Sequence, residues 1–350
     1  MAGPAQRIVI FPPNPIGDAV MFTPALRAIR ARFPDAEIAL FARPAPAETL
    51  NPNPWTRHVL VAPRSLLAAA RALRRERFDL GVLAPNSFRS ALTARLGGVR
   101  RRVGYDRDAR GRLLTDRVPP PRGPDGRLAV VPAIDYYLRL AAAVGAETSD
   151  RRMELDVAAA DAALAEELLV EAGLDPSRPL VVLNPGASYG PSKMYPAERF
   201  AAVGDALARG RGAQIVVNAG PGEVAVAETV ERAMAEGVLL NLARVGTTLG
   251  VVKALLARAW VVITNDTGPR HLAAALGAGV VTIFGATDPD RTTIDYARER
   301  IVRVDVPCAP CQKKRCPLPP GPSHHQCMLS IPPEMVVSAA EELLSDGRPS

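Results

Sequence analysis

Residues 260–277 read WVVITNDTGPRHLAAALG, and this stretch decides the fold class. It begins with an apolar, β-branched run typical of a buried strand and ends with the apolar content of a helix. Between the two lie Asn265, Asp266 and Thr267, then Gly268 and Pro269. Proline suits the first turn of a helix, because the N–H that it lacks would have no partner there. Strand, polar turn and helix form the repeating unit of a parallel α/β sheet.

The same alternation recurs in both halves of the chain. Apolar runs and amphipathic stretches alternate first over residues 7–84 and again over residues 158–284. Strands that are apolar throughout are typical of parallel sheets covered on both faces. We therefore predict an α/β protein with two Rossmann-like, doubly wound parallel-sheet domains facing across a cleft. The predicted domains are residues 1–155 and 156–331, with a linker near 148–156 and a C-terminal helix and tail at 332–350.

Length and composition agree with this organisation. A chain of 350 residues, 48% apolar and 23% charged, suits two globular domains of about 150 residues each. It has no run of about 18 apolar residues that could cross a membrane. Pro12, Pro13, Pro15 and Asp18 interrupt the region where a signal peptide would need an apolar stretch. We expect a cytoplasmic protein.

The net charge of +7 indicates anionic partners without identifying them. Nucleic acid is not predicted, because only 5% of residues are aromatic and no recognised binding motif occurs. A phosphorylated substrate or peripheral contact with the anionic inner membrane surface fits equally well. A solvated arginine-rich surface is the alternative. The basic residues cluster at Arg71, Arg74, Arg75 and Arg77, and at Arg100, Arg101 and Arg102.

Ligands of open parallel sheets bind at the carboxyl ends of strands, so the loops there carry the functional predictions. The first loop, residues 14–18, reads NPIGD and delivers the Asp18 carboxylate close to a helix start. A simple helix cap is the alternative role for Asp18. The three spaced glycines of dinucleotide-binding proteins are absent from this turn, which disfavours an NAD-dependent dehydrogenase.

Two loops of the second half are predicted to bind a diphosphate, and a third carries an acid suited to ribose hydroxyls. Residues 184–193 read NPGASYGPSK, in which backbone amides can approach phosphate and Lys193 can neutralise it, although a plain surface loop is equally compatible. This is not a Walker loop, so nucleotide hydrolysis is not indicated. The helix after Asp266 directs free amides and a positive dipole end at a ligand, with His271 one turn in. Glu223 follows another strand, where an acid can bind ribose or favour a helix start.

These loops together resemble glycosyltransferase family 9, and within it the heptosyltransferase II branch. The similar pieces occur in the family's order over nearly the whole chain. The resemblance implies a GT-B fold and an inverting transfer of heptose from ADP-heptose to the inner core of lipopolysaccharide, without a cofactor or catalytic metal. The matching pieces are PNPIGD at 13–18, PNSFRSAL at 85–92, NPGA at 184–187, Lys193 with Pro196, and NDTG at 265–268 with His271.

The resemblance also implies a role for each matching position. Asp18 corresponds to the catalytic base. The donor-binding positions are Ser188, Lys193, Glu223, Asp266, Thr267, Gly268 and His271, and the acceptor-side positions are Asn14, Asn86, Ser87 and Arg89. The chain departs from the family pattern at Met194–Tyr195 and at Pro269–Arg270, which leaves another heptose or nucleotide sugar open as donor.

All four cysteines lie in the segment 308–327, at Cys308, Cys311, Cys316 and Cys327. Thiols at such spacing can form a structural zinc site, whereas disulfides are less compatible with a reducing cytoplasm. A catalytic metal is not expected, since no carboxylate accompanies the cluster.

Two other functions fit the same organisation. A nucleotide-sugar epimerase or hydrolase would present similar loops, and so would a non-catalytic two-lobed sugar-binding protein. The lack of a recognisable export signal disfavours the second alternative.

Overall fold

The computed structural model describes residues 6–347. These residues divide into two compact units. The first unit extends to Asp156 and includes Asp290–Asp295; the second comprises Val157–Pro289 and the chain from Tyr296 onward. Each unit contains a parallel six-stranded sheet, which confirms the predicted fold class.

The sheet of the first unit has the strand order β3-β2-β1-β4-β5-β6, and all its strands are parallel. The strands are β1 (Arg7–Phe11), β2 (Glu37–Ala42), β3 (His58–Val61), β4 (Leu80–Leu83), β5 (Arg101–Tyr105) and β6 (Asp116–Val118). The helices are α1 (Ile16–Met21), α2 (Thr23–Arg32), α3 (Pro44–Thr49), α4 (Leu66–Glu76), α5 (Phe88–Leu96) and α6 (Ala133–Ala142).

The second unit repeats the same topology, with the order β12-β11-β10-β7-β8-β9. The strands are β7 (Leu180–Asn184), β8 (Gln214–Val217), β9 (Leu240–Asn241), β10 (Val261–Asn265), β11 (Gly279–Ile283) and β12 (Glu299–Val302). The helices are α7 (Ala159–Glu171), α8 (Ala197–Arg211), α9 (Val224–Ala233), α10 (Leu242–Val245), α11 (Leu249–Arg258), α12 (Gly268–Ala275), α13 (Gln326–Leu329) and α14 (Pro333–Ser345).

The central strands of the second unit are buried along their whole length. Every residue of β7, β10 and β11 is buried, because helices cover both faces of the sheet. Val336, Ala340 and Leu343 of α14 belong to this core. The helix predicted after the cysteine segment therefore packs onto the second unit.

Local chemistry fixes several helix ends. Ser65 caps α4 by accepting a hydrogen bond from the Ala68 amide, and Thr248 caps α11 in the same way through Val251. Helix α8 ends at Gly212, whose φ of +61° falls in the left-handed region that glycine tolerates. Glu223 stands just outside α9, as its N-cap residue.

The strand orders identify where ligands should bind. In each sheet the order reverses between two central strands, β1 and β4 in the first unit and β7 and β10 in the second. Loops that follow such strands emerge side by side at the carboxyl edge, where doubly wound proteins hold their ligands. Asn86, Lys193 and Asp266 lie in these loops, and Asp18 lies directly after the first of them. Within residues 6–347 no helix combines the length and apolar character needed to cross a bilayer.

Candidate functional site

Asp18 lies in the first turn of α1, directly after the loop that follows β1. The N-cap of this helix is Pro15, so Asp18 is not the cap residue that the alternative interpretation required. Its partly exposed carboxylate accepts a 2.6 Å hydrogen bond from the hydroxyl of Tyr137, on α6. The sheet edge of the first unit therefore holds an oriented carboxylate beside the turn that follows β4.

The turn after β4 contains the other predicted residues of the first unit. Ser87 is the N-cap of α5, and its hydroxyl accepts a hydrogen bond from the Ser90 amide at 3.3 Å. The amide of Asn86 donates to the Tyr136 hydroxyl at 3.0 Å. Exposed Arg89 donates to the carbonyl of Arg64. Ser87 thus has a structural task in addition to its predicted place on the acceptor side.

A pocket of about 570 Å³ opens at this edge of the sheet. Asn14, Ser87 and Arg89 line it, and so do two exposed arginines that the sequence analysis did not single out, Arg43 and Arg64. No acidic side chain occurs among the described residues that line the pocket. The pocket is therefore suited to an anionic ligand.

Behind the pocket wall lies Arg110, which sequence reasoning also missed. Its guanidinium is buried and donates to the carbonyl oxygens of Tyr105 and Pro85, to Ser90 Oγ at 3.2 Å and to Asn86 Oδ1 at 3.3 Å. Burial lowers the pKa of Arg110 to about 10, so the group stays charged at neutral pH. Arg110 fixes the turn of residues 85–90 and adds positive charge beneath it.

In the second unit, the side chain of Asn265 ties the loop after β7 to the loop after β10. Its Nδ2 donates to the Pro185 carbonyl at 2.8 Å, and its Oδ1 accepts from the Tyr195 amide at 3.0 Å. A buried amide contact between Asn184 and Asn218, at 2.7 Å, continues this polar row along the strand ends. The two predicted diphosphate loops are therefore held together by buried hydrogen bonds.

Asp266 is the centre of a buried ionic network. Its Oδ2 accepts from Lys193 Nζ at 2.6 Å and from Thr287 Oγ1 at 2.8 Å, and its Oδ1 lies 3.4 Å from Arg270 Nη1. Burial would raise the pKa of Asp266, but the charges of Lys193 and Arg270 outweigh it and hold that pKa below its usual value. Arg270 is also paired with Glu299 at 2.6 Å.

Lys193 is held by Asp266 through two hydrogen bonds that the sequence did not predict. Its ammonium group donates to the Asp266 carboxylate and, at 2.9 Å, to the Asp266 carbonyl, and it lies 4.8 Å from the ring centre of Tyr189. An ammonium group has three N–H donors. Two are given to Asp266, so Lys193 is fixed near the start of α12 rather than extended into solvent.

His271 is buried in the first turn of α12, and its Nδ1 has no hydrogen-bond partner. Burial and the nearby Arg270 charge lower the pKa of His271 to about 3. The ring is therefore neutral at physiological pH. Any contact with a phosphate would have to be a neutral N–H hydrogen bond rather than an ion pair.

The remaining donor-side positions lie around the same strand ends. Thr267 is the N-cap of α12 but makes no side-chain capping bond, and Ser188 is exposed in the loop after β7. The half-buried carboxylate of Glu223 accepts from the Gly220 amide at 3.1 Å. It also lies against Gly186, where an added Cβ would be 2.0 Å from Glu223 Oε2. Glu223 thus reaches the loop after β7.

The segment that carries the cysteines also contacts the loop after β7, through Ser192. Ser192 donates through its amide to the Lys314 carbonyl at 3.2 Å, and the Ser192 carbonyl contacts His325 Nε2 at 3.1 Å. Burial, followed by the charges of Cys308, Cys311 and Cys316, raises the pKa of Cys327 to about 11. All four cysteines are free thiols and form no disulfide. Among residues 6–347, however, no three His, Cys, Asp or Glu side chains are arranged to hold a metal ion.

Comparison with known proteins gives consistent matches over nearly the whole chain. Residues 66–321 match glycosyltransferase family 9 (heptosyltransferase). The lipooligosaccharide heptosyltransferase 2 of Campylobacter jejuni is 26% identical, over 97% of this chain and 99% of the relative. Among solved structures, E. coli ADP-heptose lps heptosyltransferase II has a TM-score of 0.79 at 24% identity, covering 97% of this chain and 99% of that one. A glycosyl transferase family 9 structure from Veillonella parvula has a TM-score of 0.83 at 22% identity, covering 98% of both chains.

Proposed function

Because this chain belongs to glycosyltransferase family 9, we propose that it transfers a heptose from ADP-heptose to the inner core of lipopolysaccharide, with inversion at the anomeric carbon. The name of the Campylobacter relative, which matches nearly end to end, is that of a lipooligosaccharide heptosyltransferase and supports the transferred sugar and the class of acceptor. The observation that carries the proposal is the position of two groups at the strand-order reversals. The Asp18 carboxylate lies at the reversal in the first unit, and the loop with Lys193 lies at the reversal in the second.

On the donor side, we propose that the loops after β7 and β10 hold the diphosphate of the ADP-sugar. Lys193 donates its third N–H to a phosphate oxygen, while the amides of Thr267 and Gly268 and the dipole of α12 contribute further positive potential. These groups stabilise the charge that develops on the leaving diphosphate. Glu223 binds ribose hydroxyls, and Ser188 and His271 complete the donor site.

On the acceptor side, we propose that Asp18 is the general base. It removes the proton of the acceptor hydroxyl as that oxygen bonds to the anomeric carbon, and the bond from this carbon to the diphosphate oxygen breaks. ADP leaves with the bonding pair, and attack opposite to it inverts the configuration. Asp18 is a partly exposed carboxylate at a sheet edge, which suits this role. No cofactor takes part in this scheme.

The cationic pocket supports an anionic acceptor. Asn14, Ser87 and Arg89 line it, and Arg43 and Arg64 add positive charge. Asn86 lies in the same turn, between the lining residues Pro85 and Ser87. We propose that carboxylates or phosphates of the inner core bind there, at the cytoplasmic face of an anionic membrane. Arg43→Ala and Arg64→Ala should each raise the acceptor KM, more strongly at low salt, and leave the donor KM unchanged. An acceptor KM insensitive to both changes would contradict this assignment.

A transfer assay distinguishes the proposal from its alternatives. The purified protein is incubated with ADP-heptose, with and without a lipopolysaccharide lacking the outer heptose, and released ADP is measured. We expect ADP release only with acceptor. Release without acceptor would indicate a hydrolase, conversion of the sugar without release an epimerase, and binding of free sugar alone a sugar-binding protein. A thermal-shift series over nucleotide sugars tests the donor, because a ligand of the native state raises the melting temperature.

The four cysteines carry a separate proposal, a structural zinc ion on Cys308, Cys311, Cys316 and Cys327. The spacing of the four cysteines in the sequence supports it. The thiols would have to converge further on binding, and no step of the transfer depends on the ion. One zinc per purified chain, lost in Cys308→Ser, is the expected result. Protein that unfolds at the same temperature with and without a chelator and contains no zinc would contradict it.

A further inference from the structure

Helix α6 carries two adjacent tyrosines that contact different parts of the first unit. The Tyr136 hydroxyl is hydrogen-bonded to Asn86, in the turn after β4. The Tyr137 hydroxyl contacts Oδ1 of Asp18 at 2.6 Å, across 119 residues of sequence. Neither tyrosine belongs to a motif that the sequence analysis singled out.

The direction of the contact between Tyr137 and Asp18 follows from chemistry. An ionised carboxylate only accepts hydrogen bonds, so the tyrosine hydroxyl is the donor. Burial, together with the charge and hydrogen bonding of Asp18, raises the pKa of Tyr137 well above its ordinary value. The hydroxyl therefore keeps its proton throughout the working pH range.

Packing holds the donor in place. The Tyr137 ring is buried, and it meets Phe22 edge to face with ring centres 5.6 Å apart and planes at 79°. Its neighbour Tyr136 makes a second edge contact, with centres 5.9 Å apart. A ring fixed on two sides has few orientations open to its hydroxyl. The donor is thus fixed before any substrate arrives.

We propose that Tyr137 is the positioning residue of the base: its hydrogen bond to Oδ1 fixes the orientation in which the Asp18 carboxylate receives the acceptor hydroxyl. The inference rests on the proposed function, in which Asp18 removes the acceptor proton. Tyr137 itself exchanges no proton with substrate.

A double-mutant cycle with Asp18 tests this inference on the full-length protein. Tyr137→Phe removes one oxygen and keeps the ring contacts, and it should lower kcat about tenfold with the donor KM within about twofold of wild type. In the Asp18→Asn background the same change should have no further effect on kcat, because the group on which it acts is already disabled. Tyr296→Phe, which removes a 2.9 Å tyrosine–carbonyl hydrogen bond in the second unit, is the matched control and should keep wild-type kcat.

The outcomes separate this inference from the proposed function. If Asp18→Asn keeps full turnover, the assignment of the base is wrong. If Asp18→Asn is impaired but Tyr137→Phe is not, or the two losses multiply, only the positioning role is wrong. Should Tyr137→Phe fail to fold, 3-fluorotyrosine at position 137 replaces it. Its fluorine resonance should move on Asp18→Asn, and an unmoved resonance would overturn the inference.

Discussion

Removing the Lys193 side chain should destabilise the second unit before any substrate is considered. Lys193→Ala leaves the Asp266 carboxylate, which is only 5% exposed, without its 2.6 Å partner. Removing one member of a buried ion pair costs about 3–5 kcal/mol. Thr287 at 2.8 Å and Arg270 at 3.4 Å remain, so we expect the lower end, about 3 kcal/mol. The melting temperature should fall by roughly 6–12 °C for a unit of this size.

Thermal and urea unfolding at pH 7 measure this change. Lys313→Ala removes an exposed lysine nearby and should stay within about 0.5 kcal/mol of wild type. Adding Asp266→Asn to Lys193→Ala should cost less than the sum of the single changes, because the two residues interact directly. A Lys193→Ala protein within about 1 kcal/mol of wild type, or strictly additive losses, would refute the network described here.

The stabilisation from the Lys193–Asp266 ion pair should be lost at acidic pH. The folded pKa of Asp266 lies below its unfolded value, so its stabilisation is present above about pH 4 and is lost as the pH falls through the folded pKa. The difference between wild type and Lys193→Ala should therefore shrink below about pH 4.

Two further predictions concern the donor loops. The pKa of His271 is about 3 in the folded protein and about 6.5 in the unfolded chain, so the unfolded chain binds a proton at higher pH. Below about pH 6.5, wild type should therefore lose stability relative to His271→Gln by up to about 1.4 kcal/mol per pH unit, as measured by urea unfolding. Parallel stability curves for the two proteins would contradict this. Gly186→Ala should displace Glu223 and raise the donor KM several-fold in the transfer assay, whereas Gly222→Ala, where an added Cβ meets nothing within 4 Å, should not. Equal donor KM values in the two variants would show that Glu223 does not bind the donor.

The architecture could be predicted from the sequence because its central strands are continuous apolar runs. Residues 260–264 and 180–183 stand out from their surroundings, and the structure has β10 and β7 there. Edge strands were missed for a physical reason. Strands β6 (DRV) and β12 (ERIV) are short, partly exposed and polar, so no apolar periodicity marks them.

The site was predictable only where motif residues sit at strand ends. Asp18, Lys193 and Asp266 lie at strand ends as predicted, and family membership confirms the resemblance from which their proposed roles follow. Tyr137 and Arg110 could not be identified from the sequence, because their contacts span long sequence separations or lie in an irregular loop. The ion pair between Lys193 and Asp266 could not be predicted either, because it depends on how two loops 73 residues apart come together.

We propose that Asp18 acts as the base while the second unit holds the donor. The most direct measurement is kcat of Asp18→Asn with saturating ADP-heptose and acceptor, alongside the dissociation constant of ADP-heptose. We expect kcat to fall by at least about a hundredfold with donor affinity unchanged, since a base contributes chiefly in the transition state. Turnover at the wild-type rate, or a loss confined to donor binding, would show that Asp18 is not the base.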